Sequence, residues 1–193
     1  MTPSELKLLM QQCPQTPTQS VWQHGESVRE QYNGIVQRIS GEPSGHKLPT
    51  FLSSEHGYGK EISSSLSPIT VSGPYCLWHD CGKPFCRVET DTGSHFPEHA
   101  EWSQRVYADV FGPGLVANLI GWDMAIHTAT AVEIDAYLKK WSRADACTLL
   151  IAALAEIHSN ARMFGGIEST SFKIKFKQIE RRGNQICKHI FSD

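Results

Sequence analysis

Asp145–Met163 reads DACTLLIAALAEIHSNARM. Its apolar run, from Cys147 to Ile157, is interrupted only by Thr148 and Glu156. A bilayer-spanning helix needs about 20 predominantly apolar residues, so this run is too short to cross a membrane. It is long for a strand, and a helix apolar on most sides is a buried one. Asp145–Met163 is therefore expected to be the central helix of a soluble core.

Helical signals continue on both sides of it. Ala131–Trp141 and Leu115–Thr128 read as helices before it, and Gly165-Gly166 breaks the chain after it. Ser169 or Ser171 can cap a last helix, whose stripe is Phe172, Phe176, Ile179, Ile186 and Ile190. Further upstream, Pro97 suits the first turn of a helix running to about Phe111, and Gly112-Pro113-Gly114 ends it. Between Thr18 and Ile39, the residues Val21, Trp22, Val28, Tyr32, Ile35, Val36 and Ile39 recur at helical spacing. Ser4–Gln12 reads as a short helix with Ser4 as its cap. Strand signals are nearly absent, so the expected class is all-α. One stretch, 41–67, is rich in Gly, Pro and Ser and reads as a long flexible loop holding His46 and His56.

Composition agrees with a folded domain. The 193 residues weigh 21.5 kDa, with 40% hydrophobic and 20% charged residues. These are globular values, and a chain this long buries enough surface to need no disulfide staples. A net charge of −2 and a pI near 6.5 exclude bulk polyanion coating but allow a local basic patch. Cys76, Cys81 and Cys86 recur every five residues, which is neither a zinc-ribbon nor a thioredoxin spacing. No signal peptide is expected, so the six cysteines read as reduced thiols of a cytoplasmic protein.

Chemistry concentrates in the nine histidines. His79-Asp80 places an imidazole beside a carboxylate at the end of an apolar segment, a mixed pair that divalent metals accept. Two ligands do not hold a catalytic metal. His24 lies on the first long helix, Asp123 and His127 stand four apart on one expected helix face, and His95 and His99 are also four apart.

In order, Gln23-His24-Gly25-Glu26-Ser27-Val28, then HDCGKPFCR from His79 to Arg87, then the Asp91 to Gly93 turn, His95-Phe96-Pro97-Glu98-His99 and Asp123 make a set. This set resembles the HD superfamily of metal-dependent phosphohydrolases, most of all the HD domain of bacterial tRNA nucleotidyltransferases. The resemblance covers roughly 18–130. It implies a single HD helical bundle over 1–193, with 131–193 as a C-terminal helical extension. It further implies that His24, His79, Asp80 and Asp123 hold one divalent ion, with His99 serving a second and Asp80 as the bridge. The ion would be Mn, Fe, Co, Ni, Zn or Mg and would activate water for attack on phosphorus. Lys83 would meet the phosphate as a point charge, making Asp80 and Lys83 the catalytic pair, and Arg87 would clamp it with two bonds. His95 and His127 would add a ligand or orient the phosphate; a structural role for each is equally weighted.

The expected activity is that of a free-standing phosphodiesterase or phosphatase on nucleotide or RNA-terminal phosphoesters, such as a 2′,3′-cyclic phosphate. Removal of phosphates from free (deoxy)nucleotides and a silent nucleotide- or RNA-binding module are the alternatives. The last helix carries Lys173, Lys175, Lys177, Arg181, Arg182 and Lys188. It reads first as an amphipathic helix with a solvated basic side, and second as a phosphate-contacting face.

Overall fold

The computed structural model describes residues 1–53, 57–91 and 93–192. Helix accounts for 66% and strand for 6%, so the class is all-α. In chain order the elements are α1 (Pro3–Gln12), β1 (Pro14–Thr16), β2 (Gln19–Ser20), α2 (Val21–Ile39), a 3₁₀ turn (Thr50–Leu52), α3 (Gly59–Ser65), α4 (Ile69–Trp78) and α5 (Lys83–Cys86). They continue with β3 (Val88–Thr90), β4 (Gly93–His95), α6 (His99–Phe111), α7 (Leu115–Gly121), α8 (Ala125–Thr128), α9 (Ala131–Leu138), α10 (Arg143–Ser159) and α11 (Thr170–Phe191). Among the described residues no helix is long and apolar enough to cross a membrane.

Local chemistry explains the helix starts. Thr2, Thr130 and Ser142 open α1, α9 and α10 with reciprocal capping boxes to Glu5, Glu133 and Asp145. Thr2 thus takes the cap expected of Ser4, because Glu5 stands three residues after it and can close the box. Ser169, one of the two expected caps, accepts the Phe172 N–H at the start of α11. Helix α6 begins two residues later than Pro97 suggested. Glu98 takes a left-handed φ of 52° just before it and so sets the angle at which His99 enters.

The chain forms two compact units: residues 1–29 with 69–123, and residues 30–68 with 124 onward. Residues 30–68 group with the C-terminal helices because the 3₁₀ turn packs on α11 and α3 packs on α10.

In the first unit α7 packs on α4 and α6, and α5 packs on α6 and α1. Two glycines permit close approach. A Cβ on Gly25 would overlap the Leu77 carbonyl, and a Cβ on Gly82 would overlap the backbone of Trp102 and Ser103. The Gly82 N–H donates to Ser103 Oγ at 2.8 Å, tying α5 to α6. Trp22 meets Trp78 edge-on with ring centroids 5.0 Å apart, which closes the α2–α4 contact.

In the second unit α10 is the central helix expected for it, buried along nearly its whole length from Ala146 to Ile157. It packs against α3, α8 and α11. The α11 stripe of Phe172, Phe176, Ile179 and Ile186 is buried there.

Two further expectations need correction. The 41–67 stretch is not a loop throughout. It contains the 3₁₀ turn and α3, because Phe51, Leu52 and Ile62 are apolar enough to be buried. His56 lies outside the described residues. Leu115–Thr128 is not one helix. Trp122 leaves helical geometry (φ −97°, ψ 2°), and the Asp123 N–H turns back to the Ile120 carbonyl. Asp123 and His127 therefore do not share a helix face.

Candidate metal centre

Asp80 follows the C-terminal end of α4 and is 1% exposed. One carboxylate oxygen, Oδ2, lies 3.2 Å from His79 Nε2, 3.7 Å from His24 Nε2 and 2.6 Å from Lys83 Nζ. The other, Oδ1, lies 3.7 Å from His99 Nε2. The ligand atoms of His24, His79 and Asp80 are all within 4.8 Å of one another, and all three residues are buried. A ligand atom of His79 also lies within 4.8 Å of an Asp123 oxygen. Thus one short stretch after α4 and the first turns of α2 and α6 meet at one carboxylate, and the turn after α7 brings Asp123 beside His79.

The outward nitrogens of two rings are held by backbone. His79 Nδ1 is 2.9 Å from the Cys76 carbonyl, and His99 Nδ1 is 3.1 Å from the Phe96 carbonyl. A carbonyl can only accept, so Nδ1 is assigned a proton in both rings, and Nε2 faces Asp80, where it can offer a lone pair to a cation or, once protonated, a hydrogen bond to the carboxylate. Metal-binding histidines are oriented in this way. Tyr75 plays the same part for Asp123, donating its O–H to Oδ1 at 2.6 Å from a position 1% exposed.

Burial would push the Asp80 carboxyl up. The charges of His79 and Lys83, the His79 hydrogen bond and the charge of His99 outweigh it and hold the carboxyl well below the usual carboxylate range. Lys83 is 6% exposed. Its Nζ also donates to Gln15 Oε1 at 3.0 Å and sits 5.2 Å from the centre of the Phe96 ring. It is a buried cation, not a solvated lysine beside a turn.

The remaining sequence candidates have the following partners. Arg87 pairs with Glu89 and donates Nε to Ser94 at 3.1 Å, so its guanidinium is engaged on the β3–β4 hairpin. His95 is exposed on β4, opposite Val88. His127 belongs to the second unit, with Nε2 3.1 Å from Glu156 Oε2. Cys81 is buried beside Asp80, and burial raises its thiol far above the ordinary range, so it stays protonated.

No family model, curated protein or solved structure matches the chain. Its chemistry therefore rests on the geometry. The donor set of imidazole nitrogens and carboxylate oxygens, with no thiolate, suits a first-row divalent ion. The ligand atoms of His24, His79 and Asp80 converge closely enough that these residues fit such an ion.

Two contributors are not foreseen from the sequence. Tyr75 stands on α4 four residues before His79, one helical turn back, so the spacing alone points it to the side from which His79 continues. Gln15 carries no comparable signal, since only the β1–β2 hairpin brings it to Lys83.

Proposed function

We propose that this chain is a divalent-metal-dependent phosphohydrolase of the HD type. The observation that carries the reading is the pair His79 and His99, each fixed through Nδ1 by a backbone carbonyl and each turned by Nε2 toward the buried Asp80. His24, His79, Asp80 and Asp123 would hold the ion, and His99 extends the set on the other side of the carboxylate. When bound, a divalent cation supplies Lewis acidity, acidifying water and neutralising phosphoryl oxygens. The chain's own residues orient and exclude. Tyr75 fixes Asp123, burial keeps bulk water away, and Lys83 offers a positive charge that either Asp80 or a phosphoryl oxygen can take. The substrate class is a nucleotide or RNA-terminal phosphoester, with free nucleotides as the alternative.

A second reading has its own support. Lys83 already neutralises Asp80 at 2.6 Å, which is how a buried polar network that serves stability alone would be arranged. Elemental analysis, thermal melting with added divalent ions, and hydrolysis of p-nitrophenyl and bis(p-nitrophenyl) phosphate separate the two. The metal reading expects bound ion, a raised melting temperature and metal-dependent turnover, all abolished by Asp80→Ala. Absence of bound ion together with absence of turnover for the natural chain leaves only the structural network.

A further inference from the structure

Helix α11 carries six Lys or Arg residues and one Glu, in a chain whose formal charge is −2. Positive charge is thus concentrated on one helix of a chain that is otherwise net acidic. It is not all equally available. Lys173 is paired with Glu168 at 2.9 Å. Among the described residues, Arg181 and Lys188 have no carboxylate partner.

These two residues lie beside a concavity. A cavity of about 600 Å³ is lined by Arg181, Arg182, Asn184, Gln185 and Lys188 of α11 and by the Ala129–Ala131 segment that opens α9. Among the described residues no Asp or Glu lines it. Arg182 is fixed there: its Nε donates to the Ala129 carbonyl and one Nη to the His127 carbonyl, both at 2.9 Å. That uses two of a guanidinium's five donors. The nearby Asp135 carboxylate receives its bond from Gln185 Nε2 at 2.9 Å, not from a cation. Burial, and then the charge of adjacent Arg181, lower the Arg182 pKa, as expected for crowded cations that lack a neutralising anion.

We propose that this cavity binds a ligand with clustered phosphates, gripped by two guanidiniums and an ammonium at the C-terminal half of α11. Planar guanidiniums suit phosphate oxygens bidentately, and a lysine adds a point charge. Lys177, Arg181, Asn184 and Lys188 stand at i, i+4, i+7 and i+11, one continuous face of α11 about 16 Å long at 1.5 Å per residue. The stripe carries no aromatic ring for base stacking, so it would read phosphate and not base. The same chemistry is offered by a single RNA strand and by a compact inorganic polyphosphate. This site is independent of the metal centre and needs none of its residues.

The test uses the full chain with EDTA present, which removes any contribution of bound metal. A short fluorescent single-stranded RNA is followed by anisotropy, and tripolyphosphate by calorimetry, at low and raised salt. Binding that weakens with salt is expected, as is a loss of about tenfold or more for Arg181→Glu with Lys188→Glu. Both positions are exposed, and the neutral pair Arg181→Gln with Lys188→Gln should show a smaller loss. Lys173→Glu, on the same helix but outside the cavity, should bind as the natural chain does. Tighter RNA binding identifies a strand as the source, and tighter tripolyphosphate binding identifies the compact ligand. The proposal fails if neither probe binds, if the double variants bind unchanged, or if Lys173→Glu loses as much as they do.

Discussion

Lys83 and Asp80 make an ion pair that water scarcely reaches, with both side chains under a tenth exposed. Two charges out of water are costly apart and tolerable together. Lys83→Met should therefore cost about 3–5 kcal/mol in urea unfolding, because it strands the carboxylate. Adding Asp80→Asn should recover part of that loss, and a double-mutant cycle measures the coupling. His158, in the second unit, makes stability depend on pH. Burial, with the charges of His46 and Lys47, lowers its pKa from 6.5 to about 4 despite its hydrogen bond to the Lys47 carbonyl. The unfolded chain then binds the proton more readily than the fold does. Stability from this group is complete above pH 6.5 and is lost as pH falls toward about 4. For a half-buried ring the loss from pH 7 to 5 should be about 1–2 kcal/mol. His158→Gln should flatten that slope in denaturant midpoints measured at the two pH values.

Among the elements, the candidate metal centre depends on how closely α2 approaches α4. Gly25 allows it, since any Cβ there would meet the Leu77 carbonyl, which is backbone and cannot rotate aside. Gly25→Ala should cost about 1–3 kcal/mol of stability and, by moving His24, weaken metal uptake. Gly45→Ala is the matched control: nothing lies within 4 Å of its added Cβ, and its melting temperature should hold. Most helices are legible in the sequence. The Ser169 cap, the buried α10 and the α11 stripe follow from spacing and side-chain chemistry, which act within a few residues. The break at Trp122 is not legible, because Ile120, Trp122 and Ile126 continue an apolar pattern across it. Nor is α3, whose Ser-rich sequence hides one buried apolar residue, Ile62, in a helix that packs on the 3₁₀ turn and α10.

For the molecule as a whole, all six cysteines are buried and unbridged. Burial raises the Cys147 and Cys187 thiols to about 12 and Cys81 further still. Thiolate is the reactive form, so the folded chain should resist Ellman's reagent near neutral pH. All six thiols should react once guanidinium unfolds it. Prompt labelling of the native protein would show that one of the units opens readily. Charge, too, is unevenly spread over the molecule. A net charge of −2 conceals an α11 that carries six cations, which is why net charge alone says little about anion binding.

Periodicity and short-range hydrogen bonding are local, so the helical class, most of the helix limits and the residue types able to hold a metal can be read along the chain. His24, His79, Asp80, His99 and Asp123 stand out there as well. That His24, His79 and His99 gather around the Asp80 carboxylate, with Asp123 beside His79, is a matter of packing, as are the burial of Lys83 against Asp80, the arrival of Tyr75 and Gln15, and the place of His127 in the other unit. Those outcomes rest on two glycines that let backbones touch and on a helix break that leaves Asp123 and His127 on no common helix face. Neither can be read from neighbouring residues, because the surfaces that select them come from far away in the chain.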